Sequence, residues 1–532
     1  MYQRSPSISS KVSRNEAGGS SAAAGAATRR GRRVCAARRA SGRRGLMKGS
    51  VAVSGRRLGP GFSDGDRSPI TLATACRSAA KTGSSGGRTA ADMVPGYAAG
   101  RGKLHRDDSE DGGTMRISVL MANYRGAAFL PEAIESVLRQ SHADLELIVV
   151  DDASGDESAD LVREIAEGDS RVTLIEMERN GGPSAARNRA LEAATGDWLA
   201  VMDSDDVLHP DRLARLLAAA EALGVDAVAD DMLHFGEAPD AGGRTLLQSL
   251  HLVAPMPVDA TLFVAANGGS DDLPPLGYLK PLVRRSAWGG LRYDETLRVG
   301  EDYDLYLRLL LDGARLVLLP EALYLYRRHS GSISHRLSVA ALEPLIAAHD
   351  RTARDVTDPA LAGMMRRRRA GLERLLAFEH LVAAIKRRRP LPALAQLVRR
   401  PDLVAELLRS VRERLRRRVA EEVEIRPLSV VLSADPRPVG DGQRLVAVPP
   451  LLAPDLPHPW PPAQQAALLS DLAARHDLDI CADGEEGLFW LWLVPRWSRA
   501  EVVLPEGMEA RLPPGAERRG TAPDDDDEDL GD

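Results

Sequence analysis

The chain has 532 residues, 44% of them apolar and 27% charged, which at about 150 residues per domain leaves room for three or four domains with ordinary cores. No uninterrupted apolar run approaches the roughly 18 residues of a membrane-spanning helix, and the three scattered cysteines (Cys35, Cys76, Cys481) lack the spacing of a disulfide framework or a structural zinc site, as suits a reducing compartment. The net charge of −6 conceals a segregation: residues 1–114 hold 21 lysines and arginines against 8 acids, a local +13, so the remainder carries −19.

Residues 1–114 are dominated by Arg, Ser, Gly and Ala with no sustained period of 2 or 3.6. Such a composition buries too little apolar surface to offset the entropy of ordering, so a disordered basic extension is expected. Its acid-poor start has the texture of an organelle transit peptide, and Arg43–Arg44 that of a twin-arginine signal. Neither is followed by an apolar core, since Gly45–Val53 is too short and too polar. A further reading is a misplaced start, with translation beginning at Met115, immediately before the first strand pattern.

From Arg116 the texture changes. Ile117–Ala122 predicts a strand, Leu130–Gln140 a helix, and Leu145–Val150 a second strand ending at Asp151–Asp152. A helix over Asp156–Gly168, a strand over Val172–Glu176 and a helix over Ser184–Ala194 follow. A strand over Trp198–Met202 ends at Asp203, a helix runs from about Pro210 to Leu223, and Val225–Ala229 closes the series. This alternation predicts βαβ units in an α/β domain, with a mainly parallel sheet covered on both faces. Residues 230–343 are less regular, with a helix at Asp302–Leu311 and a strand at Arg315–Leu318, and 115–343 is expected to be one domain.

Helices rich in Leu, Ala and Arg are expected over 344–426, with basic clusters at Arg366–Arg369, Lys386–Arg389, Arg399–Arg400 and Arg416–Arg418. Residues 427–515 are expected to form a small appended α/β region, with strand-like runs at Leu428–Leu432, Leu445–Val448 and Leu488–Val494 and a helix near Ala463–Arg475. The end, 516–532, contains the acidic run Asp524–Asp529 and reads as a solvated tail.

In open α/β sheets ligands bind beyond the carboxyl ends of the strands, and the chemically unusual residues fall there. Asn123–Tyr124 end the first strand, Asp151–Asp152 the second, and Asp203-Ser204-Asp205-Asp206 the fourth. Crowded carboxylates repel unless a cation or donors compensate. Asp203 and Asp205, two apart, suit one Mg²⁺ or Mn²⁺ whose shell is completed by substrate phosphates and water. The plainer alternative is that Asp205 or Asp206 caps the helix near Pro210. Asn180-Gly181-Gly182-Pro183-Ser184 precedes a helix carrying Arg187, an arrangement that suits an anion or forms an ordinary capped turn. Gly300-Glu301-Asp302-Tyr303-Asp304 opens a helix with three acids in its first turn, which complements the macrodipole and equally offers a general base. His329 stands in a polar loop, Tyr326–His335, as a candidate ligand or a structural histidine.

Six segments occur in order: "VLMANYRGAAFLPEAIESVLRQS", "ELIVVDDASGDES", "NGGPSAARNRAL", "GDWLAVMDSDD", "GEDYDLYLRLL" and "YLYRRHSGSIS". Together they make the stretch from about Arg116 to His335 resemble the family 2 glycosyltransferases, inverting enzymes with a GT-A fold, a Rossmann-like sandwich. "YLKPLVRRSAW" and "RRHSGSISHR" are further similar to bacterial exopolysaccharide glucosyltransferases of the succinoglycan type. The resemblance implies that Asp151 or Asp152, with Asp152 preferred, contacts the nucleotide base or ribose. It implies that Asn123 flanks the base and that Arg187 lies near the diphosphate. Asp203 and Asp205 match the DxD carboxylates, with Asp205 the better candidate for direct metal contact. Asp302 matches the catalytic base, Glu301 its neighbour in the nucleotide-sugar site, and His329 a histidine that completes the metal shell or contacts the diphosphate.

The implied reaction moves a hexose from a nucleotide sugar, expected to be UDP-glucose or UDP-galactose, to a hydroxyl of a glycan or lipid-linked oligosaccharide, with Mn²⁺ or Mg²⁺ as cofactor. The expected location is cytoplasmic, with peripheral contact at the inner membrane face through the Arg-rich helices at 366–418; a solvated helical tail explains the same charge. Nucleic acid is not an expected partner, since no reader module or interleaved aromatics accompany the arginines. A catalytically inactive scaffold is the main alternative. A nucleotidyltransferase fits less well, because Asn123-Tyr124-Arg125-Gly126 is not its Gly-rich basic loop.

Overall fold

The computed structural model describes residues 115–236, 242–268, 273–329, 338–417, 425–435, 439–440, 442–459, 461–505 and 508–520, all within one compact unit of the chain. The extension expected over 1–114, the acidic run Asp524–Asp529 and the loop from Ser330 to His335 lie outside the described residues.

The first half is the expected α/β alternation. Strands β1 (Ile117–Asn123), β2 (Leu145–Asp151), β3 (Val172–Glu176) and β4 (Trp198–Asp203) alternate with helices Leu130–Leu138, Ser158–Gly168 and Pro183–Ala193. Every residue of β2 is buried, as a strand covered on both faces requires. The less regular stretch then supplies short strands: β5 (Val207–Leu208), β6 (Ala227–Ala229), β7 (Met232–Phe235), β8 (Met256–Val258), β9 (Leu282–Arg284), β10 (Leu316–Leu318) and β11 (Tyr324–Arg327). Eight strands form one sheet in the order β3-β2-β1-β4-β9-β6-β10-β8. Pairing is parallel from β3 to β4, antiparallel on both sides of β9, parallel between β6 and β10, and antiparallel at β8. A second sheet, β5-β11-β7, starts just beyond β4 and delivers the chain from Tyr324 to Arg327 back towards the β4 end.

A helix runs Val339–Arg354 across Pro344, capped by Ser338, whose side chain accepts from Ala341 N–H. Helices Pro359–Lys386, Pro390–Arg399 and Asp402–Arg417 follow. Among the described residues no helix is long and apolar enough to cross a membrane.

The appended region is a five-stranded, wholly parallel sheet of β12 (Arg426–Ser433), β13 (Gln443–Ala447), β14 (His476–Asp483), β15 (Arg499–Leu504) and β16 (Glu517–Gly520), in the order β13-β12-β14-β15-β16. Two expectations are corrected here. Residues 517–520, expected to open the tail, form the edge strand β16. Leu488–Val494, expected as a strand, belongs instead to helix Gly484–Leu491 and the turn after it. A short, wholly apolar run does not distinguish a buried helix from a buried strand. Gly487 lets this helix approach the sheet, since a Cβ there would lie 2.6 Å from the Leu432 carbonyl oxygen. One apolar core joins the two regions: Leu233, Phe235, Leu323 and Leu325 pack with Val430, Leu432, Phe489 and Trp490. His209 fastens the joint. Its Nδ1 accepts from Asp211 N–H at 3.1 Å, which assigns the proton to Nε2, 2.9 Å from the Phe489 carbonyl oxygen.

Candidate active site at the carboxyl ends of β1, β2 and β4

Strand register sets the first groups. Pairing of β1 with β2 puts Asn123 beside Asp151, and pairing of β1 with β4 puts Ala122 beside Asp203. Asn123 Nδ2 donates to Asp151 Oδ1 at 2.8 Å, and Ser154 Oγ donates to the same oxygen at 2.5 Å. Asn123 Oδ1 is buried without a hydrogen-bond donor. Asp152 reaches the glycine loop instead, accepting from Gly181 N–H at 2.6 Å and Gly182 N–H at 2.8 Å. Its two oxygens therefore hold the Asn180–Ser184 turn to the end of β2.

The second group is an ion network of five side chains. Arg187, fully desolvated on helix Pro183–Ala193, donates to Asp203 Oδ1 at 2.6 Å, to Glu301 Oε1 at 2.6 Å and to Asp302 Oδ1 at 3.4 Å. Lys280 Nζ closes the ring from the other side, 2.7 Å from Asp302 Oδ2 and 3.0 Å from Asp203 Oδ2. Three carboxylates and two cations leave a formal charge of −1. Burial alone would raise the Asp203 carboxyl, but Lys280 and then Arg187 outweigh it and hold Asp203 below the usual carboxylate range. Burial likewise works against the charged forms of Lys280 and Arg187, yet the neighbouring carboxylates push both upward, so both stay cationic. Burial and the Asp302 charge raise Glu301 despite Arg187 and Lys280. Removing so many charges from water is a poor way to gain stability, and a buried cluster of perturbed titratable groups makes this a candidate functional site.

Helix Glu301–Leu311 presents Glu301 and Asp302 in its first turn, where the macrodipole favours negative charge. The chain enters it through Gly300 at φ +81°, a left-handed conformation that favours glycine.

Asp205 and His329 form the third group. Asp205 Oδ2 and His329 Nε2 lie 2.9 Å apart, and the imidazole packs against the Phe129 ring. Burial and the Asp203 charge raise the Asp205 carboxyl, partly offset by His329. A carboxylate and an imidazole converging on one point suit a divalent ion whose remaining ligands are phosphate and water oxygens. Both oxygens of Asp203, in contrast, are already held by Lys280 and Arg187. Neither Asp205 nor Asp206 caps the following helix, whose cap position is Asp211. Asp206, fully buried, accepts from Tyr324 Oη at 2.6 Å and Arg327 N–H at 2.7 Å, while Tyr324 Oη accepts from Asp203 N–H at 3.2 Å. That relay ties the Asp203–Asp206 turn to β11.

The structure thus gathers Arg187, Asp203, Glu301 and Asp302 in one cluster, pairs Asp205 with His329, and keeps Asn123, Asp151 and Asp152 in hydrogen bonds at the β2 end. The sequence assigns no role to Lys280 or Tyr324, and offers Asp206 only as a helix cap. Lys280 lies within the segment "YLKPLVRRSAW", but that segment alone assigns it no chemistry, and its placement depends on a buried neighbour. Arg212, paired with Asp230 at 2.8 Å, donates to the Lys280 carbonyl at 2.5 Å.

A family model described as "Glycosyl transferase family 2" matches residues 118–256. Succinoglycan biosynthesis protein ExoO of Rhizobium meliloti (strain 1021) is 34% identical over 340 residues, covering 62% of this chain and 96% of that protein. Succinoglycan biosynthesis protein ExoU of the same organism is 36% identical over 230 residues, covering 41% of this chain and 65% of that protein. Among solved structures, TarS 1-349 of S. aureus in complex with UDP-GlcNAc is 21% identical, with a TM-score of 0.40, covering 48% of this chain and 72% of that one. At that score the likeness carries no weight for chemistry.

Proposed function

The chain belongs to glycosyltransferase family 2, and from that premise we propose that it is an inverting hexosyltransferase of exopolysaccharide synthesis, using a UDP-sugar (UDP-glucose or UDP-galactose) and a glycan or lipid-linked acceptor. The observation that carries this reading is the position of Asp302: a buried carboxylate in a helix first turn, 2.7 Å from Lys280 and 3.4 Å from Arg187, sharing both cations with Asp203. The names of the two succinoglycan biosynthesis relatives support the exopolysaccharide context.

Asp302 takes the proton from an acceptor hydroxyl while that oxygen forms the bond to the anomeric carbon. The bond from that carbon to the diphosphate oxygen breaks on the opposite face, and the nucleoside diphosphate leaves with the electron pair. Arg187 supplies fixed positive charge towards the departing diphosphate. Lys280 holds Asp203 and Asp302 at one span, so donor-side and acceptor-side carboxylates keep their separation. Asp205 and His329 would hold Mn²⁺ or Mg²⁺, which supplies charge stabilisation to the leaving group.

A single displacement converts an α-linked donor into a β-glycoside. Proton NMR of the product formed by the full-length chain tests this: a large anomeric coupling from a glucosyl or galactosyl product supports inversion. An α-configured product would overturn the proposed mechanism while leaving family membership intact.

A further inference from the structure

Helix Pro390–Arg399 leaves its apolar stripe exposed, and helix Asp402–Arg417, which buries Leu403, leaves a second stripe exposed. In the first, Leu391, Leu394 and Val398 are spaced i, i+3, i+7 and are 78%, 59% and 74% exposed, and the helix has no buried residue at all. In the second, Val404, Leu408 and Val411 repeat the pattern at i, i+4, i+7 and are 43%, 64% and 48% exposed. Ile385, at the end of the preceding helix, is also exposed. An amphipathic helix normally buries this stripe, and two in succession leave a cost in water that a partner would remove.

The charge around the stripes identifies the partner. Residues 386–417 carry 11 lysines and arginines against 3 acids, a local +8, in a chain whose residues 115–532 sum to −19. A second copy of this chain docking through the same face would set +8 against +8. Nucleic acid would match the charge but not the exposed leucines and valines. An anionic bilayer satisfies both: apolar side chains enter the acyl boundary while arginines meet lipid phosphates, each contributing about 1 kcal/mol near the surface by general estimate.

We infer that helices Pro390–Arg399 and Asp402–Arg417 form a peripheral docking surface for an anionic lipid bilayer. This goes beyond the active-site chemistry, and its failure would leave the transferase reading untouched.

The test is co-sedimentation of the full-length chain with phosphatidylcholine vesicles and with vesicles containing phosphatidylglycerol. Binding is expected only to the anionic vesicles, weakening as salt rises. The double variant Leu394→Asp/Val398→Asp should lose at least tenfold in vesicle affinity. Because both side chains are exposed, its thermal midpoint should stay at the wild-type value, which separates lost docking from lost folding. A second variant, Arg387→Ser/Arg388→Ser/Arg389→Ser, should lose affinity through charge alone. Absence of binding to anionic vesicles at low salt, equal binding by the Asp variant, or a concentration-dependent dimer abolished by that variant would each overturn the inference.

Discussion

Replacing Lys280 by methionine keeps the length of the side chain and removes one charge from the network. The change leaves Asp203, Glu301 and Asp302 facing Arg187 alone, so the formal charge goes from −1 to −2. Lys280 is only 5% exposed, so solvent screening offers little relief. Breaking a buried pair costs about 3–5 kcal/mol, and because Arg187 still touches both affected carboxylates the lower end, about 3 kcal/mol, is expected. Asp302 Oδ2 loses its hydrogen bond at 2.7 Å and is free to reorient. A displacement of about 1 Å in a reacting group costs on the order of 10²-fold in rate. The assay is release of nucleoside diphosphate under saturating donor and acceptor, with urea unfolding measured in parallel. Turnover should fall about 10²-fold, with the loss in kcat rather than in the donor KM. Lys280→Arg should restore only part of it, since a guanidinium cannot occupy the same point between two carboxylates. Wild-type turnover and wild-type stability in the Lys280→Met protein would show that Lys280 does not hold the two carboxylates, and so would a loss confined to KM.

Asp302→Asn should lower turnover by about 10²–10⁴-fold while largely preserving donor binding, measured by calorimetry. His329→Ala should raise the metal concentration giving half-maximal activity more than it changes the donor KM, read from Mn²⁺ titrations. Asp231 is pushed up to about 7 by burial against its hydrogen bonds. The folded chain keeps this proton after the unfolded chain has lost it near pH 4, so stability falls as pH rises from about 4 to 7, by about 4 kcal/mol at most. Asp231→Asn should flatten that window and exceed wild type in urea midpoint at pH 8. Burial brings His209 down to about 4 against the pull of Asp211, so it contributes stability above its unfolded value near 6.5 that is lost as pH falls towards 4. His209→Gln, compared with wild type by tryptophan fluorescence, should remove that part of the acid sensitivity.

Strands β1 to β4 were legible because each is a five- to seven-residue apolar run ending in polar residues, separated by helices of ordinary length. The stretch from β5 to β11 was less so, because its strands are two to four residues long and β9 inserts antiparallel between β4 and β6, a choice made by tertiary packing. The clustering of Asp203 with Asp302 was expected only through resemblance. What joins them is Lys280, which sits in the segment "YLKPLVRRSAW" with no periodic signal to mark its role and whose carbonyl accepts from Arg212. Helix Gly484–Leu491 was hidden because its apolar run has no polar interruptions to reveal a period. In the Arg-rich region the apolar stripe of Pro390–Arg399 could be read from spacing, but its outward direction depends on how the neighbouring helices pack.

The side chains gathered around Asp203 and Asp205 are proposed to bind a nucleotide sugar. This is tested most directly by calorimetric titration of the full-length chain with UDP-glucose, UDP-galactose, GDP-mannose and dTDP-glucose, with and without Mn²⁺. Metal-dependent binding of a UDP-sugar, weakened by Asp205→Ala, is the expected result. A folded protein that binds none of these donors under either condition would contradict it and favour an inactive scaffold.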